Sequence, residues 1–303
     1  MHPKLVELEK KFNPSTLSYI ETPFLKQKKV ELWIKRDDLI HPVISGNKWR
    51  KLKYILDHAL NIDRHTIISM GGAYSNHLHA LAFVGKQLEL KTIAFIRGER
   101  PERLSATLQD LQNWGMDLRF VSRAEYRGLR HYKKHNDLPG LQQGQYWLPE
   151  GGATELALLG VSELISEIDL QYDVICVPCG TGTTLAGLIS SVPEHCQVLG
   201  FSALKGAGFL AEEVENLLHE NKKNKADWTI KLDYHFGGFA QRNNELLLFI
   251  ESFEKQHGIE LEPVYTGKMF YGLFDLIKKD TFKPGQKIIA IHTGGLQGNR
   301  SMI

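Results

Sequence analysis

Short runs of β-branched and other apolar residues, each ending in glycine or a polar turn, alternate along most of the chain with longer segments whose apolar residues recur every three or four positions. That alternation leaves few folds open, because strand, crossover helix and next strand together build a parallel sheet with helices over its faces. Strands are expected over 30–35, 66–70, 92–96, 118–121, 174–177, 198–202 and 287–291, and helices over 49–60, 75–88, 102–114, 154–168, 183–191, 207–220, 243–257 and 268–278. The first of these helices carries Leu52, Ile55, Leu56 and Ala59 at i, i+3, i+4 and i+7, a single apolar face that leaves Arg50, Lys51 and Lys53 largely outside it. At 303 residues the chain can fill one large α/β unit or two modest domains. No repeat, low-complexity tract or Pro/Ser-rich linker marks a boundary, so a second domain has to be an insertion.

Charge excludes some functions. A formal net charge of +2 is too small for a nucleic-acid footprint, and the basic clusters (Lys26-Gln27-Lys28-Lys29, 130–134 and 222–225) lack interleaved aromatics and read as solvated surface. No uninterrupted apolar stretch reaches the length of about 18 residues that a membrane span needs, and the charged first dozen residues do not form a secretory signal. The expectation is a cytoplasmic protein with no nucleic-acid or membrane partner. Three cysteines, Cys176, Cys179 and Cys196, are too few for a disulfide framework and fit a reducing compartment.

Three strand-to-helix junctions are unusual, and in open α/β sheets ligands bind beyond the carboxyl ends of strands. At Ser45-Gly46-Asn47-Lys48-Trp49-Arg50-Lys51-Leu52 a turn enters an amphipathic helix with a lysine at its start, where the macrodipole disfavours a cation. An amine beside positive backbone dipoles loses its proton more readily, as a Schiff-base lysine must, and Lys51 at i+3 projects from the same side. Taken alone, the motif fits two ordinary solvated lysines better. At Met70-Gly71-Gly72-Ala73-Tyr74-Ser75-Asn76-His77 a strand meets a glycine turn and a helix opened by Ser and Asn, which are good caps and also suit a carboxylate. His77 and His79, two apart on a helix, face different ways and do not make a metal pair.

The third junction, Val177-Pro178-Cys179-Gly180-Thr181-Gly182-Thr183-Thr184-Leu185-Ala186-Gly187, follows an apolar strand with a loop of Gly, Thr and N–H donors suited to a phosphate monoester. Its glycine spacing fails the dinucleotide fingerprint, and it lacks the Lys-Ser/Thr of a nucleotide-binding P-loop. Cys176 and Cys179 match C-x-x-C, but one lies inside a strand and no second pair exists, so a buried hydrophobe plus a loop residue is the reading. Two later segments, Pro263-Val264-Tyr265-Thr266-Gly267-Lys268 and Ile291-His292-Thr293-Gly294-Gly295, also bring hydroxyls to element ends.

Taken in order, these motifs resemble the family of 1-aminocyclopropane-1-carboxylate (ACC) deaminase and D-cysteine desulfhydrase, among the tryptophan-synthase-β-like enzymes of pyridoxal 5′-phosphate (PLP). The likeness runs from Glu31 to Gly295 and also takes in Trp33-Ile34-Lys35-Arg36-Asp37-Asp38. It implies fold type II: two α/β domains, each an open, mostly parallel, twisted sheet covered by helices, with PLP in the cleft between them. The small domain would be 48–152, and the large one 1–47 with 153–303. Lys48 then matches the lysine that carries the cofactor and moves protons at the substrate carbon. Lys51 matches a lysine near the phosphate, and Cys179, Gly180, Thr181, Gly182, Thr183 and Thr184 match the phosphate cup. Ser75, as nucleophile or proton relay, and Asn76 match the pair beside substrate carboxylate and cofactor ring, with His77 next to them. Tyr265 matches the tyrosine over the substrate, and Thr266 or Thr293 would face the pyridine nitrogen. No metal is implied. The partner is a small amino acid, and the resemblance implies a homodimer.

Within this family ACC deaminases carry glutamate after the matching tyrosine and glutamine at the position of His77; here these are Thr266 and His77. A neutral hydroxyl at the ring nitrogen weakens electron withdrawal and favours α,β-elimination. The expected activity is therefore a D-cysteine desulfhydrase-like lyase releasing pyruvate, ammonia and sulfide, with ACC deaminase as the alternative. At Gly237-Gly238-Phe239-Ala240 the chain departs from the family, because Phe239 replaces a substrate-site tyrosine and cannot exchange a proton. That departure keeps open a non-catalytic PLP-binding or regulatory protein.

Overall fold

A computed structural model describes residues 1–44, 46–218 and 226–301. Ser45 of the first motif, the basic residues of the 222–225 cluster and the end of the 207–220 helix lie outside the described residues. The strands are β1 Leu17–Ile20, β2 Glu31–Lys35, β3 Thr66–Gly71, β4 Lys91–Arg97, β5 Asp117–Val121, β6 Gln145–Trp147, β7 Val174–Cys179, β8 Gln197–Ser202, β9 Trp228–Lys231 and β10 Lys287–Ile291. The α-helices are α1 Pro3–Glu9, α2 Pro23–Lys28, α3 Asn47–Asn61, α4 Asn76–Leu88, α5 Ala106–Asn113, α6 Arg123–Leu129, α7 Glu155–Ser166, α8 Thr183–Ile189, α9 Leu210–Leu218, α10 Asn244–His257 and α11 Thr266–Lys278.

Two sheets result, as the alternation requires. One runs β1-β2-β10-β7-β8-β9, parallel except for β1; the other runs β5-β4-β3-β6 and is wholly parallel. In the larger sheet the pleat divides the side chains between two cores. Val174, Cys176, Ile288 and Ala290 pack under α11 on one face, while Ile175, Val177, Ile289 and Ile291 pack under α7 and α8 on the other. Strands covered on both faces carry continuous apolar runs, which is why β3 and β7 are buried at every residue.

Helix α3 joins the two sheets. Its apolar face, Leu52, Ile55, Leu56 and Ala59, enters the core of the smaller sheet together with Leu5 and Leu8 of α1. Its other side lies against α7, where a Cβ on Gly160 would sit 1.7 Å from the Arg50 carbonyl oxygen, so only glycine permits this approach. A buried ion network fixes the start of α3. Arg50 donates to Asp37 at 2.6 and 2.8 Å and to Glu167 at 2.8 Å, and Glu167 also takes Lys35 at 2.9 Å.

The order of strands decides where a ligand can bind. In the smaller sheet the chain leaves β3 toward β4 on one side and returns as β6 on the other; in the larger sheet β7 is followed by β8 on one side, with β10 on the other. Such reversals open a crevice at the carboxyl ends of the strands concerned. The Ser75 junction follows β3, and the Gly180 loop and Thr293 follow β7 and β10, so the predicted motifs flank both reversals.

Candidate active site

Gly46, with φ of +69°, ends the turn before α3; a Cβ there would meet the Thr293 carbonyl oxygen at 1.8 Å, so the helix can start against β10 only through glycine. Asn47 then ties two motifs together. Its Nδ2 donates to Thr184 Oγ1 at 2.8 Å, and its Oδ1 accepts from Lys48 Nζ at 2.5 Å. Thr181 and Thr183 share a hydroxyl contact at 2.9 Å, and a Cβ on Gly180 would lie 3.1 Å from the Tyr265 ring. Lys48, the loop of Gly180, Thr181, Gly182, Thr183 and Thr184, Tyr265 and Thr293 therefore belong to one neighbourhood.

Lys51 is buried and Lys48 half-buried, and neither has a carboxylate within ion-pair distance among the described residues. Burial, opposed in part by the negative charge of Glu262, brings the Lys48 amine down to about 8. Lys51 falls well below its ordinary value, first through burial and then through Lys48, and its Nζ reaches only the Gly151 carbonyl at 3.5 Å. Loss of hydration, rather than the helix dipole, is thus what weakens the hold of Lys48 on its proton. Labelling of Lys48 by an amine-reactive probe, followed by mass spectrometry, should rise about tenfold per pH unit and level off near pH 8, because only the neutral amine reacts. A plateau near pH 10 would indicate an amine in water.

Ser75 caps α4 by accepting from the Leu78 amide at 3.2 Å, a bond worth about 1 kcal/mol, and its Oγ lies at the Gly71 turn. His77 is buried. Ser69 spends its proton on the Leu148 carbonyl at 2.8 Å, so His77 Nε2, 2.9 Å from the same oxygen, carries the ring proton. That leaves His77 Nδ1 as a bare acceptor with no partner. Burial first, then Lys48 and Lys51, hold the ring neutral with a pKa of about 3. Beside it the turn at Gly151 and Gly152, φ +69° and +70°, passes between Thr181 and His77. His79 turns away to Asp110 at 3.0 Å.

Tyr265 stands before α11, with its hydroxyl held protonated by burial and by the charges of Glu262 and Glu150. Phe239, 45% exposed, sets its ring 5.9 Å from Tyr265 in an edge contact, so it borders the site without closing it. Lys268 holds that border, donating to the carbonyls of His235 at 2.9 Å and Gly238 at 2.7 Å. Cys179 is buried at the end of β7, with its thiol pushed up to about 12 by burial, and it packs against Gly200. It supports the loop as a small apolar residue.

Glu262 was not among the residues the sequence singled out. Fully buried, it accepts from the amides of Val264 (2.7 Å), Tyr265 (2.7 Å) and Thr266 (2.6 Å), and Thr266 Oγ1 binds back to the Glu262 amide at 3.0 Å. An acidic residue four positions before a helix start, ahead of proline, was the available sign. Its carboxylate supplies the negative charge felt by Lys48, Lys268 and Tyr265.

Two amines with no carboxylate partner among the described residues, a loop of glycines and threonine hydroxyls before α8, and one orphaned acceptor make a site that suits an anion such as a phosphorylated ring compound. Comparison with known proteins gives the same direction. The profile of the family described as "Pyridoxal-phosphate dependent enzyme" matches residues 15–294. A Pyrococcus horikoshii protein provisionally named as a 1-aminocyclopropane-1-carboxylate deaminase is 32% identical, over 98% of this chain and 96% of its own. The Arabidopsis thaliana bifunctional D-cysteine desulfhydrase/1-aminocyclopropane-1-carboxylate deaminase, mitochondrial, is 32% identical, over 88% of this chain and 73% of its own. A crystal structure described as that of an ACC deaminase homologue superposes with a TM-score of 0.80 at 29% identity, covering 99% of this chain and 97% of that one.

Proposed function

The chain belongs to the pyridoxal-phosphate-dependent enzymes, as a fold type II lyase with PLP as cofactor, and on that premise we propose that it carries out α,β-elimination on a small D-amino acid such as D-cysteine. The products would be pyruvate, ammonia and sulfide. When bound, the cofactor supplies an electron sink for the bond broken at Cα. The observation that carries the proposal is the pair Lys48 and Lys51 on one side of α3, two amines with no carboxylate partner among the described residues, the first brought down to about 8.

In this reading Lys48 holds the cofactor and then takes the Cα proton. Lys51 and the hydroxyls and amides of Thr181, Gly182, Thr183 and Thr184 hold the phosphate. Ser75 and Asn76 hold the substrate carboxylate side, Tyr265 covers the substrate, and His77 Nδ1 offers a fixed neutral acceptor. Of the two hydroxyls for the ring nitrogen, Thr293 is supported better than Thr266. Thr266 Oγ1 is engaged with the Glu262 amide, carbonyl and carboxylate, while Thr293 Oγ1 has no partner among the described residues.

ACC ring opening is the second reading, favoured by the names of the relatives and by the carboxylate of Glu262 close to Thr266. Assayed in parallel, the protein should release pyruvate from D-cysteine faster than 2-oxobutyrate from ACC. The reverse order would establish ACC deamination, and no spectral response to any D- or L-amino acid would leave a binding protein.

The division into 48–152 and 1–47 with 153–303 follows the two sheets, although α1 packs in the core of the smaller one. No helix among the described residues is long and apolar enough to cross a membrane. The homodimer rests on resemblance, and light scattering checks it.

A further inference from the structure

The 3₁₀ turn Leu296–Ser301 follows β10 and lies against α5. Its side chains grip both sides of the crevice. Gln297 donates from Nε2 to Asn76 Oδ1 at the start of α4. Three residues on, Arg300 donates to Asp110, the carboxylate that also bonds His79, itself three residues beyond Asn76 on α4. Asn299 donates to Glu260 Oε1 at 2.7 Å and to the Leu261 carbonyl at 3.4 Å, in the segment leading to Glu262 and Tyr265. One short turn thus binds α4 and α5 of the smaller sheet to β10 and the approach to α11 in the larger.

We propose that Gln297 is a positioning residue that holds the Asn76 amide in place, with its oxygen occupied and its N–H donors left for an anionic oxygen bound beside it. The proposal rests on the reading above that Asn76 faces the ligands. A half-turn of an asparagine amide exchanges its acceptor for its donors. Here the oxygen is taken by the Gln297 N–H, and Nδ2 lies next to Gly295, where a Cβ would come within 2.7 Å. The absence of a side chain at Gly295 makes room for Nδ2. The reversed amide would require Gln297 to turn as well and would put a carbonyl against the ligand's negative charge. The anionic oxygen belongs either to the substrate carboxylate or to the cofactor.

The test is a double-mutant cycle in which Gln297→Glu is made in the wild-type and in the Asn76→Ala background. A carboxylate at 297 recruits the N–H end of Asn76 and turns its carbonyl toward the ligand. In the wild-type background Gln297→Glu should weaken binding by about tenfold, whereas with Asn76→Ala the same change should cost less than about twofold. PLP titrated into the apoprotein reports a cofactor oxygen; D-alanine, which has no β-leaving group, titrated into the holoenzyme reports the substrate carboxylate. An equal penalty in both backgrounds means plain charge repulsion or structural damage and overturns the proposal. If Gln297→Glu fails to melt cooperatively as apoprotein, Gln297→Met replaces it, with an expected loss of about threefold that again requires Asn76. A wild-type protein that binds no PLP would sink the functional reading along with the proposal; normal wild-type binding with no Asn76-dependent penalty sinks the proposal alone.

Discussion

Lys48→Ala is expected to lose the visible absorbance of the holoenzyme and to lower turnover by roughly 10³-fold or more, since one substitution removes both the covalent hold on the cofactor and the amine that moves the proton. Added PLP should not restore the band. Lys51 cannot take over: it lies one helical turn further on, directed at the Gly151 carbonyl. Even so, apo Lys48→Ala should fold, because the side chain contributes no ion pair and its amine is bonded only to neighbouring Asn47. Absorbance spectra of wild-type and variant, each incubated with excess PLP and desalted, decide the matter; an unchanged band would remove Lys48 from the role proposed for it.

That role could be proposed from the sequence because the motif is local, a glycine turn and a helix start within eight residues, and because the other motifs follow in the same order at strand ends. What escaped the sequence was non-local. Three strands, β1, β6 and β9, were not expected, and all three are sheet edges of three or four residues. A short edge strand is fixed by its one neighbour rather than by its own pattern. Helices α1, α2 and α6 escaped similarly: each has six or seven residues, too few to show a periodicity, and each depends on tertiary contacts. In the site, the unexpected residues act through the fold. Glu262 matters because α11 begins over its carboxylate, and Gln297 matters because β10 ends beside α4. The Gly151-Gly152 turn matters because Thr181 and His77, 104 residues apart in the chain, close on either side of it. The sequence also expected a weakly held proton on Lys48 from the helix dipole alone, whereas the larger cause is burial, a property of the assembled crevice.

Asp37→Ala is expected to destabilise the protein by about 3–5 kcal/mol, among the largest losses for one substitution outside the crevice, because it strands the Arg50 guanidinium in the interior. Both groups are almost wholly buried, and burial opposes the Arg50 charge while Asp37 and Glu167 more than restore it. Glu167 is partly exposed and keeps two bonds to Arg50, which places the loss toward the lower end of that range. Asp37 also accepts from Ser15 at 2.7 Å through its carboxylate, while its backbone carbonyl, which the substitution leaves in place, holds the Gly46 amide at 2.7 Å in the turn that presents Lys48. Removing both charges should cost less than removing one. Asp37→Leu with Arg50→Met exchanges a paired interior charge for apolar volume and should retain most of the stability that Asp37→Ala loses. Denaturant unfolding of the single and double variants measures this directly. A double variant as unstable as Asp37→Ala would mean that the carboxylate's bond to Ser15, rather than the stranded charge, dominates.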